Sequence, residues 1–243
     1  MEDFDLFYVD ENYTRIKNSY FNYRNRKRAI RRCFQKNIKN DAGLVLVDVG
    51  CGISPVTPRP KQTLCIDCAS EALKDLQQKD YSTKLGDITD MPLEADFADV
   101  VFCSEVLEHV EQYKTALSEM HRVLKNGGHL ILTVPVHDKY WDFDDEHAGH
   151  FQRFDPEMLS QELNEVGFRI IEEKPIGSWL ERELSKLGVR IFIRQKSKGP
   201  LRKSTILASR VANCVLYLVV RGSLLFTSKE STSIMLYCCR KEQ

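Results

Sequence analysis

The sequence predicts a doubly wound α/β sheet, and three observations carry that expectation. Short apolar runs at 44–49, 63–67, 98–103 and 129–135 each end in polar or turn residues, as parallel strands buried on both faces read. Segments with helical spacing lie between them, at Ser70 to Lys79 and at Val110 to Lys125. The first run empties into Gly50 and Gly52, at the place where a ligand-binding turn of such a sheet falls.

The elements follow in order. Residues 1–40 hold a basic stretch, YRNRKRAIRRCFQK, read as a helical cap with a solvated charged face rather than a nucleic-acid contact. Residues 41–177 form the core. Its second helix carries Leu117, Met120 and Leu124 and is expected to end at Asn126-Gly127-Gly128. Asp155-Pro156 caps a further helix that Gly167 closes before a strand from Phe168 to Glu172. Residues 178–230 are a helical insertion. Ser178 and Glu181 make a capping box ahead of Leu180, Leu184, Leu187 and Ile191, Gly199-Pro200 breaks the chain, and an apolar helix runs from Ser204 to Arg221. Residues 231–243 supply the last strand, SIMLYCC.

Composition excludes several classes. Lys plus Arg equals Asp plus Glu at 35 each, so no global field draws the chain to nucleic acid. The acidic N-terminal segment MEDFDLFYVDENY has no signal-like apolar core, and no apolar run reaches about 18 residues. A soluble or peripheral protein is expected. The eight cysteines are scattered, which suits a reduced cytoplasmic setting. Cys65 and Cys68 form a CxxC on a strand, where residues three apart face opposite ways, and no second pair completes a metal set.

The glycines at Gly50 and Gly52 let the backbone turn and let a ligand approach without a Cβ in the way. A dinucleotide fingerprint would need a third glycine where Pro55 stands, so a nicotinamide cofactor is disfavoured. Asp67, at the end of the second strand, sits where a carboxylate accepts both hydroxyls of an adenosine ribose, and Asp87 is placed for the adenine amino group.

In order and spacing, VDVGCG (47–52), Asp67, GDITDMPL (86–93), ADVVFCSEVLEHV (98–110), HRVLKNGG (121–128) and LILTVP (130–135) resemble the class I S-adenosylmethionine-dependent methyltransferases. The resemblance implies a Rossmann-like seven-stranded sheet and S-adenosyl-L-methionine as cofactor. It puts Asp48, Gly50 and Gly52 at the methionine end, Asp67 at the ribose, Asp87 and Ile88 at the adenine, and Ser104 and Glu105 beside the sulfonium. One departure is plain. Only Ile53 to Gln62 separate the glycine turn from the second strand, and Pro55, Pro58 and Pro60 forbid the helix that usually runs there, at about 3 kcal/mol each. An extended loop is expected instead, with the N-terminal helix covering the exposed side.

The acceptor is sought in the loop 137–154, which holds three of the six histidines and five acids. His147 and His150 are candidate general bases, and Gly149 to Phe154 resembles the GH-x-x-RF segment of small-molecule methyltransferases. A purely structural role for His150 and Arg153 stands beside that reading, as it does for His109, which either lines the pocket or caps the next helix. Asp142, Asp144, Asp145, Glu146 and His147 are read as a solvated, mobile lid, and no metal is expected. No NPPY segment or Pro-Cys nucleophile marks nucleic-acid methylation.

One asymmetry remains. The 46 residues between Glu183 and Glu230 contain ten basic side chains and no acid, interleaved with apolar runs. The helix there is expected to be too short, and too interrupted by Arg210, to span a bilayer. Either it closes over the sheet, or the stretch 186–229 lies on an anionic membrane surface and the acceptor is lipid-like. Two functions follow: a methyltransferase acting on an oxygen or nitrogen of a small or amphiphilic acceptor, or a catalytically silent module of the same fold that binds a partner or docks on a membrane.

Overall fold

The computed structural model describes residues 17–38, 43–196 and 202–242, with side chains of the middle stretch described to residue 194. The expectations for residues 1–16, for the Gly199-Pro200 break and for Lys198 lie outside the described residues. The helices are α1 (Phe21–Asn37), α2 (Ser70–Gln77), α3 (Tyr113–Val123), α4 (Phe143–Ala148), α5 (Pro156–Val166), α6 (Trp179–Lys196) and α7 (Lys203–Ser223). The strands are β1 (Leu46–Val49), β2 (Thr63–Asp67), β3 (Ser82–Leu85), β4 (Ala98–Ser104), β5 (Leu124–Pro135), β6 (Phe168–Gly177) and β7 (Ile234–Lys241).

These strands form one seven-stranded sheet in the order β3-β2-β1-β4-β5-β7-β6. β1 to β5 are parallel, while β7 runs antiparallel between β5 and β6. Chain order reverses between β1 and β4, and that switch point opens a crevice beyond the carboxyl ends of the two strands. Both faces of the sheet are covered. Val47, Val101, Leu130 and Leu132 pack with Leu117 and Met120 of α3 and Leu159 and Leu163 of α5. On the opposite face Leu46, Val100, Phe102 and Ile131 meet Ile30, Cys33 and Phe34 of α1.

That second contact accounts for the missing helix. The segment after Gly52 is an extended loop ending in a short 3-10 turn, Pro60–Gln62, and α1 occupies the sheet face beside it. Tyr23 of α1 donates its hydroxyl to the Ser54 carbonyl, and Val56 of the loop joins the α1 cluster. The basic stretch is therefore only partly a solvated face. Arg31, Arg32 and Lys36 are exposed, whereas Arg24, Arg26, Lys27 and Arg28 are half-buried.

Four expectations are corrected. α3 ends at Val123 and β5 begins at Leu124, so Asn126-Gly127-Gly128 is an irregularity at the start of a strand, where the pairing shifts register and Gly127 has φ 77°. The acidic loop is not a mobile lid. It contains α4, whose capping box joins Asp142 and Asp145, and Asp144 pairs with Arg182 at 3.3 Å. The wide apolar face of α7 does not close over the sheet. The side chains it turns to the protein include Asn213, which accepts from the Phe21 amide at 3.1 Å, and Tyr217, whose ring lies 4.6 Å from the Arg24 guanidinium. Leu207, Val211, Val215 and Leu218 are each more than half exposed. The length argument against α7 also fails, because Lys203–Phe226 has the length and composition of a membrane span with 17% of its apolar window buried. Its packing on α1 lays it along the domain surface.

Candidate functional site

A cavity of about 850 Å³ occupies the crevice, running from the β1 and β2 termini to the first turns of α6. Its first end is made by backbone geometry. Gly50 has φ 65°, a value glycine adopts freely, and a Cβ there would stand 2.3 Å from Val106 Cγ2. The Gly50 amide donates to the Ile66 carbonyl at 2.8 Å, which ties the turn to β2. Asp67 accepts from the Gly52 amide at 2.7 Å and the Ala69 amide at 2.8 Å, so its carboxylate is fixed although burial pushes its pKa up. Asp87 is exposed at the rim and braced by the Thr89 amide and hydroxyl, beside the buried Ile88.

Asp48 is placed differently from the expectation that it serves a ligand directly. Its Oδ2 accepts from the Val56 and Thr57 amides at 2.8 and 3.0 Å, so it anchors the proline loop. Burial raises its pKa to about 7 against the pull of those amides. Ser104 bonds Thr133 at 2.8 Å, and Glu105, held at φ 54°, pairs with Arg26 at 3.2 Å. A non-glycine residue in that conformation costs roughly 1–2 kcal/mol, a strain that clusters at ligand sites.

The other end is built from side chains. Asp145, the buried residue of α4, binds His150 Nδ1 at 2.8 Å and takes Arg153 through two bonds, at 2.8 and 3.0 Å. Burial opposes its charge, but the His150 and Arg153 hydrogen bonds prevail and hold its carboxyl below the usual range. The His150 ring meets His109 edge-on at 4.6 Å. Burial, with His150 nearby, lowers the His109 pKa to about 4 and keeps that ring neutral. The Phe151 amide donates to the Glu108 carbonyl at 2.8 Å and locks the two segments together. Glu108 is wholly buried, and burial raises its pKa to about 8. Glu181, Arg182, Ser185 and Val189 of α6 complete the wall.

The fold thus brings His109 and His150 together with Asp48, Gly50, Asp67, Asp87, Ile88, Ser104 and Glu105 around one cavity. His147 is not brought there: it is exposed on α4. Sequence reasoning passed over Arg26 and Glu108 as site residues and took Glu181 only as a cap. The cap half-forms, since the Glu181 amide donates to Ser178 Oγ at 3.1 Å, but the Glu181 carboxylate turns inward to Asn25. EVLEHV held the signal for Glu108, an acid inside an otherwise apolar run.

This strand order, with its antiparallel β7, and an acid closing β2 beside a glycine turn define the class I S-adenosylmethionine-dependent methyltransferase fold. The comparisons agree. Residues 47–132, from β1 into β5, match a family model described as a methyltransferase domain. An uncharacterised protein of Methanocaldococcus jannaschii is 30% identical over 138 residues, 56% of this chain and 60% of its own length. An uncharacterised transposon protein of Streptomyces fradiae is 29% identical over 104 residues, 38% of this chain and 30% of its own. The chain thus spans less than two thirds of either relative. In fold it is similar to an S-adenosylmethionine-dependent methyltransferase of Thermotoga maritima (TM-score 0.66, 16% identity, 98% of each chain). It is similar also to phosphoethanolamine N-methyltransferase 2 of Haemonchus contortus in complex with S-adenosylmethionine (TM-score 0.59, 16% identity, 90% of this chain and 53% of that one).

Proposed function

We propose that the chain transfers a methyl group from S-adenosylmethionine to an oxygen or nitrogen of an amphiphilic acceptor at a membrane surface. The cavity end at Gly50, Asp67, Asp87 and Ile88 fits the cofactor: a positive-φ glycine turn at the cavity wall, a fixed carboxylate for the ribose, and an apolar shelf with an acid for the adenine. Bound there, the cofactor supplies an electrophilic methyl group and leaves as a neutral thioether. The chain's part is to align an acceptor with that methyl and, where needed, to take a proton. His150, oriented by Asp145, faces the cavity for that purpose.

The observation that carries the acceptor class is the inversion of the insertion. α6 contributes Glu181, Arg182, Ser185 and Val189 to the cavity wall, while Trp179, Leu187 and Ile191 on the same helix are more than half exposed. α7 adds its outward apolar face, and Phe226 beyond it is 90% exposed. Between Glu183 and Glu230 basic residues accompany this surface and acids do not. An interfacial amphipathic segment has these features, and here it walls the acceptor end, which supports a lipid or lipid-linked acceptor. The free thiols of all eight cysteines suit a reducing, cytoplasmic location with peripheral attachment.

Co-sedimentation with vesicles of neutral lipid, with and without anionic lipid, tests the surface. Binding is expected with anionic vesicles and should weaken with salt. It should fall when Lys196, Lys198, Arg202 and Lys203 are changed to Gln, at about 1 kcal/mol per charge, and vanish with Leu207, Val211, Val215 and Leu218 changed to Ser. Protein left in the supernatant throughout returns the acceptor to the soluble class. Calorimetry with S-adenosylmethionine separates the catalytic reading from a silent module, which would bind vesicles and give no cofactor signal.

A further inference from the structure

The acceptor end contains a cluster that alignment alone does not require. One carboxylate oxygen of Glu108 and one ring nitrogen each of His109 and His150 lie within 4.8 Å of one another. Glu108 has no exposed surface, and neither of its carboxylate oxygens is hydrogen-bonded. Burying an unpaired carboxylate is costly, so such a group either keeps its proton or meets a cation that displaces it. The nearby arginines are engaged elsewhere, Arg26 with Glu105 and Arg153 with Asp145.

His150 supplies a second, independent sign. Its Nδ1 is committed to Asp145 at 2.8 Å, which leaves Nε2 for a ligand. A carboxylate behind an imidazole is the arrangement that fixes the tautomer and orientation of metal-binding histidines. Here that carboxylate is itself gripped twice by Arg153. The ligands come from two segments, the 3-10 turn Leu107–His109 and the stretch after α4, which the Phe151 to Glu108 hydrogen bond holds in register. All three residues line the cavity wall.

We propose that Glu108, His109 and His150 bind one divalent transition-metal ion at the acceptor end of the cavity, leaving a coordination position for an acceptor oxygen. Two imidazoles and a carboxylate suit zinc, manganese or iron better than calcium or magnesium, and three protein ligands with an open position mark a catalytic rather than a structural site. Ligand atoms around a tetrahedral ion stand roughly 3.3 Å apart, given bond lengths near 2.0–2.1 Å. Small side-chain rotations therefore close the set.

The proposal rests on the methyltransferase reading for its chemistry and narrows it to oxygen methylation. A hydroxyl on the ion loses its proton more easily, as bound water does. The acceptor O–H bond breaks and the proton passes to water. The oxygen lone pair then forms the new C–O bond, while the S–CH₃ electron pair returns to sulfur.

The test needs no acceptor. The full chain, stripped with chelator and dialysed, is titrated with Zn²⁺, Mn²⁺ and Mg²⁺ by calorimetry, and metal content is read by elemental analysis. Co²⁺ serves as a visible probe of coordination. One equivalent of Zn²⁺ is expected with a micromolar or lower Kd and weak or absent Mg²⁺ binding. Glu108→Gln and His150→Ala should each weaken Zn²⁺ at least a hundredfold, and Asp145→Asn about 10- to 100-fold. S-adenosylmethionine affinity should stay within twofold in Glu108→Gln, which keeps the side-chain shape while removing its charge and so also serves as the folding control. Absence of saturation below about 1 mM, or folded variants that bind like the parent, would overturn the site. Metal bound without S-adenosylmethionine would leave the site standing and sink the methyltransferase reading; the reverse result would sink only the site.

Discussion

The two ends of the cavity treat their carboxylates in opposite ways. At the cofactor end Asp67 and Asp48 are each met by two backbone amides. At the acceptor end Asp145 is met by the His150 and Arg153 side chains as well as the Asp142 amide, Glu181 by the Asn25 side-chain amide, and Glu108 by no hydrogen bond. Amides come with the fold, so any sequence that makes this sheet and turn rebuilds the first end. Side chains must be chosen one by one, and the second end is therefore where one methyltransferase domain differs from another. Its polar groups are also the costlier to leave unmatched.

The largest effect that would break this contrast comes from Asp145. Asp145→Ala removes the carboxylate that holds Arg153 through two bonds and orients His150, leaving Arg153 only its long bond to the Ser233 carbonyl. Stranding a buried arginine costs about 3–5 kcal/mol, or roughly 10 °C in Tm for a chain of this size. Methyl transfer should fall a hundredfold or more through misplaced His150, while S-adenosylmethionine affinity in the folded fraction changes little. Equal losses of cofactor affinity and turnover would show that the two ends are not separable. Smaller, and confined to the other end, is Asp67→Ala. On the proposed reading it removes charge-assisted bonds to the ribose worth roughly 1.5–3 kcal/mol, a 10- to 100-fold loss of affinity by calorimetry. Unchanged affinity would move the cofactor away from β2.

The same contrast explains what the sequence could reveal. The cofactor end was legible because buried parallel strands are apolar runs and the glycine turn has few alternatives. Even the absent helix could be read from Pro55, Pro58 and Pro60. β3 was missed as a run because STKL is a largely exposed sheet edge with no apolar alternation to show. α4 was missed because six residues give no periodicity, although Asp142 and Asp145 carry its capping box. Which side of α7 faces the protein depends on Phe21 and Arg24, nearly two hundred residues away. Arg26 was hidden for the same reason, among charges that resembled an exposed helix face.

The most delicate test of the acceptor end is its pH dependence, and Glu181 is the group to use. It is 3% exposed and receives Asn25 Nδ2 at 3.0 Å, with Arg26 the nearby cation and Ser178 at its backbone. Burial outweighs these and lifts its pKa from 4.5 to about 8. The folded protein therefore holds a proton that the unfolded chain releases above about pH 4.5. Glu181 contributes most to stability below that value, and the contribution is lost as pH rises through about 8. Tm should fall between pH 5 and 8.5, and Glu181→Gln, neutral at every pH, should flatten part of that fall, by about 2 kcal/mol or roughly 5 °C at the alkaline end. A residual slope belongs to Asp48 at the other end and to Glu108, which burial raises to about 7 and about 8, and should remain. Parallel melting curves for parent and variant would show that Glu181 is ionised in the folded protein, with Arg26 as its counter-charge, and that the acceptor end is better satisfied than its hydrogen bonds suggest.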